Sequence, residues 1–164
     1  KRAARALHPL RRRTRPVSRN GVVFGMLLAA SATIEAAQPD FRSASDNAVV
    51  LYDAPSTRSK KVFIVNRGYP LEAVVTMEGW VKVRDAAGAL SWVEAKSLAQ
   101  RRTAMVKAMN AAIQESADEK SAVVFRAQQN LILDVVDTDT PGWLRVKHAD
   151  GTSGYIKAAQ VWGG

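Results

Sequence analysis

Residues 79–98, GWVKVRDAAGALSWVEAKSL, recur without a gap as residues 142–161, GWLRVKHADGTSGYIKAAQV, and this match decides the fold. The paired positions keep side-chain size and character: Trp80 with Trp143, Val83 with Val146, Trp92 with Tyr155, and Val93 with Ile156. Conservative changes at a fixed offset are typical of internal duplication. The sequence therefore predicts two copies of one structural unit.

Each copy has the pattern of a β-hairpin. Residues 80–84 alternate apolar and polar side chains, a turn with an acidic residue and glycine follows, and a second short apolar stretch comes next. The later copy places Asp150-Gly151 in its turn, a strong hairpin signal because glycine accepts a positive φ. Short strands at this spacing, without a long amphipathic helix, predict a small β-barrel of about five strands in each copy.

The match continues more loosely upstream. Val50-Leu51 lies where Ala112-Ile113 does. Further along, two triplets of alternating apolar residues align: Leu71, Ala73 and Val75 with Leu131, Leu133 and Val135. This alignment gives the later copy the longer loop, at residues 136–141. We therefore assign repeat 1 to residues 45–100 and repeat 2 to residues 103–164.

The stretch between the repeats has two possible conformations. Residues 101–110 join the repeats and are expected to enter repeat 2 as its first strand. Met105, Val106 and Met109 would also fit one face of a helical turn. We favour the strand.

The N-terminal residues have the three parts of a secretory signal. An arginine-dense flank leads into the short apolar run at residues 21–34, and small residues follow at Ala36 and Ala37. The apolar run is shorter than the ~20 residues that span a bilayer. We therefore expect residues 1–37 to direct export to the periplasm, with cleavage near Ala36-Ala37; an uncleaved membrane anchor is the alternative.

The basic composition comes from this leader. The chain has 24 Lys and Arg against 15 Asp and Glu, a net charge of +9, but residues 1–36 hold eight of the cations and one acid. Sixteen cations and fourteen acids remain, a net charge of +2, so the folded part has no strong excess for a nucleic acid. Cysteine is absent, which excludes disulfide bonds and thiolate chemistry.

Residues 46–164 resemble the bacterial SH3-like domain family of envelope proteins. The resemblance is carried by Gly-Trp, an alternating strand, the acidic-glycine turn, then Ser-Trp or Gly-Tyr. The opening VVLYDAPSTRSKKVFIVNRGYPLEAV, residues 49–75, is similar to the first strand, long loop and second strand of the family. It implies an all-β fold of two tandem SH3-like β-barrels after a signal segment. It also implies a binding or scaffolding role toward peptidoglycan or an envelope protein or peptide. Ser91 departs from the usual glycine, which Gly154 keeps.

Aromatic residues are the candidate ligand contacts, because rigid rings give a large contact area at low entropic cost. Tyr52 is the favoured groove residue, since it begins a loop-rich stretch near Pro55, and repeat 2 has Gln114 in its place. Trp80 and Trp143 could instead close the barrel cores. The full set of candidates is Tyr52, Tyr69, Trp80, Trp92, Trp143 and Tyr155.

We expect no catalytic residue, metal or cofactor. Of two histidines, His8 lies in the leader and His148 in a predicted turn, and no zinc, phosphate-loop or nucleophile-elbow motif occurs. Asp137 and Asp139 are too few ligands for calcium. Arg58, Lys60 and Lys61 are expected to be solvated loop charges. The prediction is a non-enzymatic periplasmic binding module; the alternative is a structural accessory protein with no ligand groove.

Overall fold

A computed structural model describes residues 38–164, so the predicted signal lies outside the described residues. Residues 38–164 belong to one compact unit. The described chain consists of two seven-stranded antiparallel sheets and two short 3-10 helices, which confirms the all-β prediction. Closure of either sheet into a barrel stays a prediction. Within this part of the chain, no helix is long and apolar enough to cross a membrane.

Sheet 1 contains the first seven strands, in the spatial order β3-β2-β6-β5-β4-β1-β7. Its 3-10 helix, Ala95–Ser97, lies between the last two strands. The strands are β1 (Asp40–Ala44), β2 (Val49–Tyr52), β3 (Lys61–Val65), β4 (Pro70–Met77), β5 (Trp80–Arg84), β6 (Leu90–Glu94) and β7 (Leu98–Ala99).

Sheet 2 repeats this order as β10-β9-β13-β12-β11-β8-β14. Its 3-10 helix is Ala158–Gln160. The strands are β8 (Thr103–Val106), β9 (Asn110–Gln114), β10 (Val123–Gln128), β11 (Ile132–Asp137), β12 (Trp143–Lys147), β13 (Ser153–Lys157) and β14 (Val161–Gly163). The stretch between the repeats therefore forms a strand, as favoured, and Met109 is 84% exposed rather than packed.

Two sequence-based expectations about the strands are wrong. Each sheet has seven strands rather than five, and the sequence comparison missed β1, whose residues DFRSA lack apolar alternation. β1 is held by pairing with β4 and β7 instead. The strand Val49–Tyr52 is consequently the second of its sheet and not the first.

The upstream alignment of the repeats also needs correction. Leu71 pairs with Arg42 on the first strand of its sheet, and Leu133 pairs with Ala104 on the first strand of the other. Both leucines are almost wholly buried, so Leu71 corresponds to Leu133 and not to Leu131. Ala73 opposes Val83 as Val135 opposes Val146. The loop that follows is therefore one residue longer in sheet 2 than in sheet 1, and not three residues longer as the alignment of the apolar triplets implies.

Alternation along the strands buries one face of each sheet. Val81, Val83 and Val93 are fully buried in sheet 1, with Val146 and Ile156 at the corresponding positions in sheet 2. Burying each such side chain stabilises the fold by about 2 kcal/mol. The residues between them point to the opposite, outer face of the sheet. This alternation is what places the large aromatic side chains on the outer faces.

The two sheets pack on each other within the compact unit. The buried Thr103 hydroxyl donates a hydrogen bond of 2.6 Å to the carbonyl oxygen of Gly68. The rings of Phe41 and Trp162 meet edge to face with centroids 5.2 Å apart. Gly163 lies so close to Pro70 that a Cβ on it would stand 2.8 Å from the Pro70 Cβ. These contacts link β1 and the start of β4 with β8 and β14.

Candidate functional site

The outer face of sheet 1 carries an aromatic cluster formed by Tyr52, Trp80 and Trp92. Tyr52 on β2 lies opposite Trp92 on β6, and its ring meets Trp80 edge to face with centroids 5.6 Å apart. Lys82 lies opposite Trp92 on β5, with its Nζ atom 5.8 Å from the ring centroid. A cation at this distance from an indole ring is attracted to the π face. Three of the six predicted residues therefore come together.

Tyr52 itself is not freely available to a ligand. Only 7% of the residue is exposed, whereas Trp80 and Trp92 are half-buried. The ring of Tyr52 fills the space beside Trp80, so the tyrosine acts mainly as packing for the cluster. The accessible part of this face is formed by Trp80, Trp92 and Lys82, which are all half-buried.

Sheet 2 has the corresponding outer face, with one substitution that changes its shape. Trp143 and Tyr155 are half-buried at the positions of Trp80 and Trp92, and Arg145 lies opposite Tyr155 as Lys82 lies opposite Trp92. Gln114 takes the place of Tyr52 and pairs with Tyr155. In the amide orientation that gives both the oxygen and the nitrogen a hydrogen-bond partner, the Gln114 side-chain nitrogen donates to the carbonyl oxygen of Ser121 at 2.8 Å. The amide thus bonds the β9–β10 loop.

A pocket of about 170 Å³ lies beside Trp143. Gln114, Glu119 and Lys157 line it, and a salt bridge joins the Lys157 ammonium to the Glu119 carboxylate. The pocket thus combines one aromatic ring with an amide, a cation and an anion. Such a combination suits a small polar group that has one apolar face. The sequence comparison missed this pocket, although the replacement of tyrosine by Gln114 in a matching repeat was its signal.

Tyr69 is separate from the other predicted residues. It packs against the core of sheet 1 and lines a different groove, at the junction of the sheets. Burial raises the pKa of its hydroxyl group above the usual value, and the nearby Asp85 carboxylate acts in the same direction. Its hydroxyl therefore stays protonated at neutral pH.

His148 and the loop acids hold turns together. The His148 Nδ1 atom lies 3.1 Å from a carboxylate oxygen of Asp150. Hydrogen bonds from the backbone and side chain of Thr152, and from His148, lower the pKa of Asp150 to about 2. Asp137 accepts a 2.8 Å bond from the backbone N–H of Asp139. In residues 38–164, no three His, Cys, Asp or Glu side chains gather as a metal site.

The family profile described as "Bacterial SH3 domain" matches this chain twice, at residues 45–99 and 107–163. No curated protein sequence matches it.

Solved structures that resemble the chain include two from Trichomonas vaginalis. NlpC2 is 15% identical with a TM-score of 0.37, and the match covers 76% of this chain and 48% of that one. NlpC1 is 16% identical with a TM-score of 0.37, over 80% and 48%. An NlpC/P60 family protein from Bacillus cereus ATCC 10987 is 16% identical with a TM-score of 0.35, over 76% and 56%. The chain spans about half the length of these proteins.

Proposed function

Since this chain belongs to the bacterial SH3 domain family, we propose that it is a non-enzymatic module of the cell envelope that binds cell-wall material. The pocket beside Trp143 is the observation that carries the proposal. A ring sugar has an apolar face that stacks on an indole and a rim of hydroxyl and amide groups that needs hydrogen-bond partners. Glu119 and Lys157 offer those partners beside the ring, whereas the buried Gln114 amide is held by the β9–β10 loop.

The outer faces of the two sheets have different parts in this proposal. Tyr52 fills the site in sheet 1 with its own ring, whereas Gln114 turns to its loop and leaves the site in sheet 2 open. We therefore assign the ligand to repeat 2. Trp92 with Lys82 in sheet 1 offers a flatter second contact.

Exchanging the two residues between the repeats tests this assignment. Gln114→Tyr should fill the pocket and reduce retention of the purified protein on insoluble cell-wall sacculi by about tenfold, which corresponds to 1.4 kcal/mol of binding free energy. Tyr52→Gln, the reverse exchange, should leave retention unchanged or increase it. Retention on sacculi is measured by sedimentation, and retention on an envelope-protein extract is measured in parallel. Circular dichroism confirms that each variant is folded.

Equal retention of wild type and Gln114→Tyr would remove the pocket from the proposal. Retention on the envelope-protein extract alone would make a protein the partner instead of the wall. Absence of retention on both would favour the structural accessory, a role that the close packing of the two sheets also suits.

Export is part of the proposal and has its own test. We expect N-terminal sequencing of the cellular protein to begin close to Gln38, because small residues at Ala36 and Ala37 follow the apolar run. The measurement is made on protein from periplasmic and cytoplasmic fractions. The protein could instead be found in the cytoplasmic fraction with residues 1–36 retained, and bind RNA with an affinity that falls steeply as salt rises. That result would identify a nucleic-acid binder and contradict the envelope module.

A further inference from the structure

Strand β3 forms an open edge of sheet 1. It pairs with β2 alone in the described part of the chain, so its other side presents backbone N–H and C=O groups without a strand partner. Three consecutive large apolar residues on it are exposed: Val62 by 43%, Phe63 by 58% and Ile64 by 58%. Folded proteins usually protect such an edge with charges, because it otherwise recruits another strand.

Sheet 2 shows how this same edge is protected. β10 occupies the corresponding place in the strand order. Phe63 opposes Leu51 as Phe125 opposes Ile113, so Ile64 corresponds to Arg126. The exposed charge of Arg126 thus lies in the middle of β10, where β3 has isoleucine. The two edges share one architecture, but the edge of sheet 1 has its cation, Lys61, at the first residue of the strand and isoleucine in the middle.

An apolar groove continues from the open edge. It measures about 320 Å³ and lies at the junction of the sheets. Phe63 and Val65 line one side, and Met105 and Ile132 of sheet 2 line the other. The pocket beside β10 is polar instead, with Arg126 and Gln128 in its lining. Apolar side chains of an added strand can therefore be buried in the groove beside β3.

Cations surround the start of β3. Arg58, Lys60 and Lys61 are exposed, and none of them forms a salt bridge with another residue in the range 38–164. One acid is close: Asp53 accepts a 3.0 Å bond from the backbone N–H of Lys60. At the other end, Arg67 is paired with Asp46. Positive charge therefore predominates at the start of β3, whereas the charge of Arg67 at its other end is balanced by Asp46.

We propose that β3 binds an extended peptide segment of a partner protein by strand addition, and that this segment alternates apolar and acidic residues. The backbone of this segment pairs with the open edge, and its apolar side chains fill the groove beside Phe63. Its acidic side chains form ion pairs with Lys60 and Lys61. A second copy of this chain fits less well, because its own β3, KVFIV, contains a cation and no acid. This site is independent of the wall-binding pocket in sheet 2.

Nuclear magnetic resonance with a defined probe tests the proposal. The isotope-labelled protein is titrated into the millimolar range with a short capped peptide of alternating valine and glutamate. We expect shifts and slowed amide exchange concentrated on β3. Ile64→Glu, which removes an exposed apolar side chain from β3 and repels the glutamates of the peptide, should weaken binding at least tenfold. Arg126→Ile should leave binding at β3 unchanged, and a peptide with lysine in place of glutamate should bind about tenfold more weakly.

Three results would overturn the proposal. The first is peptide binding by the Ile64→Glu variant that is as tight as that of the wild type, when its spectrum away from β3 shows an intact fold. The second is an absence of shifts at millimolar peptide, or shifts that map to another surface. The third is a concentration-dependent dimer in sedimentation that Ile64→Glu abolishes, which would assign the edge to a second copy of this chain.

Discussion

Gly163→Ala is expected to lower the free energy of unfolding by about 3 kcal/mol. Gly163 has a φ of +94°, in the left-handed region that costs a residue with a Cβ about 1–2 kcal/mol. A Cβ there would also overlap the carbonyl oxygen of Thr103 and crowd Pro70 on the other sheet. Overpacking of this kind costs a further 1–3 kcal/mol or so. Urea denaturation monitored by tryptophan fluorescence measures the change.

Gly142→Ala is the matched control for this variant. Gly142 also has a positive φ, +78°, but nothing lies within 4 Å of the position where its Cβ would stand. It should lose only the backbone cost of about 1 kcal/mol. Equal losses for the two variants would mean that the contact between the sheets in solution is looser than in the structure.

Tyr52→Ala should lower the free energy of unfolding by about 3–4 kcal/mol. The residue is 93% buried, its exposed fraction being 7%, and its ring packs edge to face on Trp80. Removing a buried aromatic ring eliminates its transfer free energy and leaves a cavity. The urea midpoint of the variant, with an unchanged slope, measures the loss.

Gln114→Ala provides the comparison in the other repeat. Gln114 is also buried, but its main attachment is the amide hydrogen bond to the β9–β10 loop, so we expect a loss of about 1–2 kcal/mol. If Tyr52→Ala lost less than about 1 kcal/mol, the ring would be on the surface and available to a ligand.

The repeat is the reason that so much of the fold could be predicted from the sequence. Trp80 and Trp143 begin equivalent strands, and their alternation with Val81 and Leu144 reports which face is buried. The family and the tandem arrangement follow from this match. β1 could not be found in the same way, because a strand fixed by pairing needs no apolar pattern of its own.

The aromatic cluster of sheet 1 was predictable as a set of residues but not as a geometry, and the pocket beside Trp143 was not predicted. Tyr52, Trp80 and Trp92 come together because neighbouring strands bring them to one face, which the alternation of each strand indicates. The burial of Tyr52 depends on its rotamer and on the indole of Trp80, which sequence spacing does not specify. The exposure of β3 depends on strand order, a property of the assembled sheet rather than of the segment KVFIV.

The packing of Thr103, Phe41 and Gly163 at the junction has a consequence for avidity. A flexible linker would let two contact surfaces search independently and engage ligands at many spacings. Here the junction fixes the separation and orientation of the surfaces on the two sheets. If the surfaces on both sheets contact one repetitive polymer, we expect tight bivalent binding only where the repeat length of the polymer matches the spacing that the junction sets.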